Sequence, residues 1–421
     1  DSAPPLGAGA AAAPATAAAP APSGGALSRF DLNLDARAKA LTWHGQPMSD
    51  VHLSGTLQNG EVTIRELGIG DLGGASANLS GVIEGLLDTP TGQLAFDMHG
   101  PELERVLRVV APKLARGRHY GAFSLGGGLQ YDRQVVTVDA DLQLLDGHAH
   151  VVGDIARPSG TLDLGFDLDH PSFTRLVQAF SPLYQPPRDP GAVKLSGRLS
   201  GERDRFTLAP LALAIGQSTL EGRVGVDLSG ARTQLDADLT AGDWALDRLL
   251  SARQTAALDR SFARAAAMPG LLLAAARVPQ PSGSWSEEPV DFSLLRRADL
   301  GLKLAAHSLA YGGWRVDTPS LTASVKDGTL LLQQLTGKLL GGSIEASGDA
   351  GGGAMPALQG RLALRDADLR QALTSASGGG VIDGRFDLDA RLGSAGRSEA
   401  ELGAHLTGAA ALQSRGGSIA G

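Results

Sequence analysis

The sequence predicts a mainly β protein built from repeats, with short helices and one helical insertion. Three observations carry that expectation. Apolar and polar residues alternate with period two in stretch after stretch, glycine-marked turns recur at similar distances, and a short helical pattern follows each turn. Composition agrees. Hydrophobic residues make up 43% of the 421-residue chain but aromatics only 4%, and with 57 glycines this material builds thin apolar layers rather than a large aromatic core.

In chain order, residues 3–25 are nearly all Ala, Pro and Gly, so residues 1–25 read as a disordered, semi-extended linker. The chain opens on Asp1, which reads as an excerpt or a processed product with any targeting segment upstream. A β-repeat region follows over 26–242. From Phe30 the even positions are Phe30, Leu32, Leu34, Ala36, Ala38 and Ala40, against Asp31, Asn33, Asp35, Arg37 and Lys39, so one strand face is apolar and the other meets water. Val136, Val138, Ala140, Leu142 and Leu144 repeat the pattern, as do Leu162, Leu164, Phe166 and Leu168, then Leu300, Leu302 and Leu304, then Phe386, Leu388 and Ala390. These are expected to be half-buried antiparallel strands.

Four turns are marked by Gly73-Gly74, Gly147-His148, Gly216-Gln217 and Gly341-Gly342, and helical patterns follow near 102–108, 172–179 and 368–374, with a longer one near 244–267. The helix anchors Leu103, Phe173 and Leu246 lie 70 and 73 residues apart, whereas Leu246 to Leu369 is 123, leaving room for an insertion of about 50 residues. Residues 243–284 are assigned to that helical insertion and a Pro-rich linker, broken by Pro279, Pro281 and Gly283, and 285–421 to a C-terminal β region. The most apolar stretch, Ala265 to Val278, contains Pro269 and Arg277 and is too short to cross a bilayer.

Several function classes drop out. Lys and Arg form no run suited to nucleic acid, and the net charge is −8. Cysteine is absent, which removes disulfides, thiol nucleophiles and Cys-based metal sites and leaves the redox compartment open. Gly68-Ile69-Gly70-Asp71-Leu72-Gly73 matches GxGxxG, but more alternating strand follows it instead of a helix, so its glycines read as turn residues. His148 and His150 share a strand face, yet no carboxylate or third histidine stands at a suggestive spacing, and they are read as solvated. Asp163, Asp167 and Asp169 lack the calcium-loop glycine and glutamate and read as a charged face. No Gly-x-Ser-x-Gly elbow, P-loop or HExxH occurs, so no catalytic residue, cofactor or metal is assigned and the protein is expected not to be an enzyme.

What remains is the amount of one-sided apolar strand. In a compact sandwich two such faces cover one another, the commoner outcome; in a long open sheet they line a groove that an apolar partner fills.

The C-terminal third bears on that choice. Trp285-Ser286-x-x-Pro289-Val290-Asp291-Phe292-Ser293-x-Leu295, Tyr311-Gly312-Gly313, Asp327-Gly328-Thr329-Leu330 and Leu339-Leu340-Gly341-Gly342 together resemble the C-terminal region of the AsmA family. Ala395-Gly396-Arg397-Ser398-x-x-Glu401-Leu402 and Gly416-Gly417-Ser418-Ile419-Ala420-Gly421 are similar to it too. The resemblance covers about residues 280–421; residues 26–280 fit through the repeat and its short helices. It implies an extended, curved antiparallel sheet with an apolar inner face, forming the periplasmic body of a protein held in a Gram-negative inner membrane by an N-terminal helix upstream of these residues. It implies phospholipid as the apolar ligand, transport between inner and outer membrane, and outer-membrane assembly factors as partners. On that reading the terminal motif is truncated at Gly421, and the candidate lipid-facing residues are Leu32, Leu34, Val136, Val138, Leu142, Leu144, Leu162, Leu164, Phe166, Leu302, Leu304, Phe386 and Leu388. The alternative is a secreted or surface β-repeat adhesin.

Overall fold

The computed structural model describes residues 31–43, 46–85, 90–110, 120–182, 184–250, 298–351, 355–377 and 382–419. After β1 (Leu32–Trp43), the first four-strand unit is β2 (Gln46–Gln58), β3 (Glu61–Leu72), β4 (Ala75–Glu84) and β5 (Thr91–Gly100), ending in α1 (Leu103–Val110). The second is β6 (Phe123–Asp132), β7 (Val135–Leu144), β8 (Gly147–Ala156) and β9 (Leu162–His170), ending in α2 (Phe173–Phe180). The third is β10 (Val193–Glu202), β11 (Arg205–Ile215), β12 (Ser218–Asp227) and β13 (Thr233–Ala245), ending in one 3-10 turn, Leu246–Arg248. After β14 (Ala298–Tyr311) comes the fourth, β15 (Trp314–Lys326), β16 (Thr329–Leu339), β17 (Gly342–Gly351) and β18 (Ala357–Asp368), ending in α3 (Leu369–Ser377). β19 (Ile382–Ala395), α4 (Glu399–Ala404) and β20 (Thr407–Ile419) follow.

All twenty strands lie in one sheet that is not closed, each paired with its neighbours in sequence. At about 4.8 Å per step the sheet runs to roughly 90 Å across its strands. Every pairing is antiparallel except β13 with β14, which is parallel. β14 therefore begins beside the start of β13, with Thr233 opposite Ala298, rather than beside its end. Most of the expected insertion, residues 251–284, lies outside the described residues, as do the 1–25 linker and Trp285–Leu295.

The turns explain the recurrence of glycine and adjust its reading. Gly73-Gly74 and Gly216-Gln217 are hairpin turns, but in the other two units the turn residues are Leu145-Asp146 and Leu340-Gly341. Both residues of each of these latter turns have positive φ, from 54° to 71°, the primed geometry that matches strand twist. Leu340 tolerates that conformation because its side chain packs into the core beside α3. A different glycine set marks the sheet itself: Gly81, Gly153 and Gly222 have φ of 148–151°, and a Cβ on Gly153 would sit 2.1 Å from the Asp163 carbonyl oxygen. Bulges in β3 (Ile64/Leu67), β11 (Leu208/Leu211) and β16 (Leu332/Leu335) bend the sheet at equivalent places.

α1, α2 and α3 follow β5, β9 and β18 at one end of the strands, where α1 and α3 cover the apolar face, while α4 follows β19 at the other end. α1 turns Leu103 and Val106 onto Ala75, Met98, Phe123, Leu125 and Leu144; α3 turns Leu369 and Ala372 onto Ile344, Leu364, Ala367, Phe386 and Leu388. α2 has Ser172 as its N-cap, accepting from the Arg175 amide at 3.1 Å, and Ser172 in turn donates to Asp189. The described core is therefore a set of small clusters along one rim.

Candidate functional site

Strand register turns local alternation into continuous apolar rows. One row runs from Leu34 through Gly55, Ile64, Gly81, Leu94, Leu129, Val138, Gly153 and Leu164 to Leu199, and on through Leu302 and Leu332 to Leu392 and Gly408. The next runs from Ala36 through Leu79, Phe96, Gly127, Phe166, Gly197, Leu239 and Leu304 to Leu362, Ala390 and Ala410. Each crosses all twenty strands, and every position in both is apolar or glycine. Phe96 lies over Gly127 and Phe166 over Gly197, each ring carbon 3.1 Å from where a glycine Cβ would stand, so the missing side chain seats the aromatic ring.

Among the described residues no second sheet packs over these rows. Val138, Leu164 and Leu302 are half-buried by their neighbours alone, and Leu32 and Leu34 near the β1 edge are 52% and 39% exposed. Over β16–β19 the face holds a concavity of about 470 Å³ lined by Leu330, Leu332, Leu358, Leu362 and Leu392. Apolar patches of this extent are uncommon on soluble proteins unless something covers them.

The opposite face is charged and paired. Arg198 grips Asp163 with two hydrogen bonds of 2.5 Å, and Arg365 holds Asp389 at 2.5 and 2.8 Å. Arginine hydrogen bonds hold both carboxyls below the usual carboxylate range. Asp169 lies 3.8 Å from the Lys194 ammonium, so two of the three aspartates considered for calcium already face cationic side chains.

The expected lipid-facing residues divide by position. Leu32, Val136 and Leu162 share one row, Leu34, Val138, Leu164 and Leu302 the next, and Phe166 and Leu304 the one after. Leu142 is one row closer to the helices, beside Leu125. Leu144, Phe386 and Leu388 lie nearer the helices: Leu144 packs against the α1 cluster, while Phe386 and Leu388, 6% and 8% exposed, belong to the α3 cluster. Alternation says which face a residue points to but not where along the strand a helix crosses. Leu94, Leu129, Leu199 and Leu332 also belong to the open rows; Leu94 sits in the alternation of Gln93 to Phe96, while Leu332 precedes a bulge that breaks the period. The His148–His150 reading is also adjusted, because register sets Asp141 of β7 opposite His150.

A family model described as the AsmA family matches residues 187–421, more than half of the chain. The chain belongs to the AsmA family. No curated protein and no solved structure matches it. AsmA membership suggests a role in envelope or lipid-related processes and associates the chain with bacterial envelope proteins. Strands β1–β9 precede the matched region yet extend the same sheet and rows. Most AsmA motifs within the described residues are turns and caps, while residues 416–419 close β20. Gly312-Gly313 and Asp327-Gly328 are two-residue turns, and Ser398 caps α4 by accepting from the Glu401 amide at 3.2 Å, while Glu401 accepts from Arg397 N at 2.7 Å. Among the described residues no helix is long and apolar enough to cross a membrane.

Proposed function

We propose that this AsmA protein is a non-enzymatic conduit that carries phospholipid between the inner and outer membranes, with acyl chains lying on the two full-width apolar rows. The observation that supports it most is the uninterrupted run of apolar or glycine positions over twenty strands. A methylene moved out of water onto such a surface gains about 0.8 kcal/mol, so a chain only half covered still gains several kcal/mol over its length. Repetition of the same surface every strand means that each site resembles the next, which favours movement along the row over fixed binding. The charged back face keeps the sheet soluble and leaves headgroups to water at the rim. On this reading the body is periplasmic, held to the inner membrane by a helix outside these residues, and works beside outer-membrane assembly factors.

The test is a photo-cross-linker placed in cells at Leu164 or Leu302, with Gln143 on the opposite face as control, combined with mass spectrometry of lipids extracted from the purified chain. Phospholipid captured at the two leucines and not at Gln143 supports the conduit. Equal capture at all three positions, or extracts without phospholipid, rejects it.

A further inference from the structure

The polar face of the second unit carries a constellation that lipid transfer does not use. β8 places His148 and His150 two residues apart, so both imidazoles leave the sheet on the charged side. The β7–β8 register brings Asp141 directly opposite His150, with Asp139 next to it on the same face. His150 Nδ1 lies 3.1 Å from Asp141 Oδ1 and 3.8 Å from Asp139 Oδ1, and His148 Nε2 lies 2.9 Å from Asp141 Oδ1. One donor atom from each of Asp139, Asp141 and His150 falls within 4.8 Å of the other two. A cation about 2.0–2.2 Å from tetrahedral N and O ligands needs those ligands roughly 3.3–3.6 Å apart, close to the spacings already present.

Charge balance points the same way. Asp163, Asp227 and Asp389 each face an arginine, whereas the ion pairs of Asp139 and Asp141 among the described residues are to histidine alone. A neutral imidazole supplies a lone pair but no charge, so two adjacent carboxylates stand without a permanent counter-ion. A divalent cation with affinity for both imidazole and carboxylate supplies what is missing.

We propose that Asp139, Asp141 and His150 bind one divalent transition cation of the Zn²⁺ class, which staples β7 to β8 from the polar face, with His148 held against Asp141 at the edge of the site. The ion lies on the opposite side of the sheet from the apolar rows, so its binding does not depend on the lipid reading.

The test is calorimetric titration of the metal-stripped chain with Zn²⁺. The expected result is one Zn²⁺ per chain, weakened at least tenfold in the double variant Asp141→Asn/His150→Gln, with far-UV circular dichroism unchanged because Asp141 is exposed and His150 half-exposed on the polar face. His52→Gln, whose imidazole lies 3.5 and 3.7 Å from Asp35 and Glu66, serves as control and should bind as the parent does. A measurement that needs no variant is diethylpyrocarbonate modification of the parent chain, in which Zn²⁺ should protect His150 and leave the exposed His99 and His405 reactive. Absence of stoichiometric binding, equal affinity in the double variant, or an unprotected His150 would overturn the site.

Discussion

Replacing Leu164 with alanine separates an open face from a covered core, because the same substitution at Leu364 supplies the covered reference. Leu164 is half-buried, between Gly153 on β8 and Leu199 on β10, with no layer above it among the described residues. Truncation removes roughly three methylene-sized groups worth about 0.8 kcal/mol each when fully buried, so about 1.2 kcal/mol at half burial. No cavity term is added, since the vacated space opens to the medium. Leu364 is 5% exposed in the cluster beneath α3, with Ile344 and Leu388 on its flanking strands. There the full transfer term applies and a hole remains, giving about 3–4 kcal/mol. Native-state amide exchange reads these locally, which suits a long sheet whose ends need not unfold together. At about 1.4 kcal/mol per tenfold, exchange in β8–β10 should rise roughly 7-fold for Leu164→Ala, and in β17–β19 a few hundred-fold for Leu364→Ala. Losses of equal, core-sized magnitude at both sites would mean that Leu164 is covered, and the open-face argument would fail.

Other expectations are local. Gly341 has φ of +71° in its hairpin turn, so Gly341→Val should cost about 1–3 kcal/mol in a chemical denaturation series; Gly342→Val should cost more, because its Cβ would sit 2.2 Å from the Arg365 carbonyl oxygen. Retention of full stability by both variants, with loss of lipid capture, would assign the pair to ligand binding instead. Asp189 is pushed up by desolvation but pulled further down by hydrogen bonds from Ser172, Gly191 and Thr174, leaving its carboxyl below the usual range. A depressed folded-state pKa contributes stability above the unfolded value that fades as pH falls through the folded one, so protection of α2 should weaken below about pH 4. Exchange measured down to pH 2 should show that loss in the parent and not in Asp189→Asn, whose protection is low throughout. Ser398→Ala should loosen α4 by about 1 kcal/mol through loss of its cap, visible as faster exchange at Glu401.

Much of the architecture was legible because β periodicity is a local property. Alternation from Leu32 to Ala40 needed only the order of residues to show which side chains share a face, and the anchors Leu103, Phe173 and Leu369 appeared within a residue or so of the observed helix starts. The AsmA resemblance was legible for a related reason: most of its motifs within the described residues are turns and caps, where backbone geometry restricts residue choice at short range. Less visible was anything set by what lies across the sheet. Leu144, Phe386 and Leu388 alternate as regularly as Leu164, yet α1 and α3 cover them. Asp139 and Asp141 are 7 to 11 residues from the two histidines, a separation without meaning as a metal motif until a two-residue turn folds β8 against β7.

The amino-acid order by itself determined that this chain forms amphipathic strands, that glycine and short helices punctuate them in units of about 70 residues, and that nothing in it assembles a familiar catalytic motif. The AsmA resemblance implied one extended antiparallel sheet, but tertiary structure alone decided its register, the parallel pairing of β13 with β14, and that α1 and α3 cover one end of the apolar face while, among the described residues, two rows stay uncovered. The division has a physical basis. Side-chain alternation follows from the two-residue repeat of the extended backbone, whereas register and coverage are settled by packing between residues far apart in the chain, where bulges, turns and glycines select among alternatives of similar local energy.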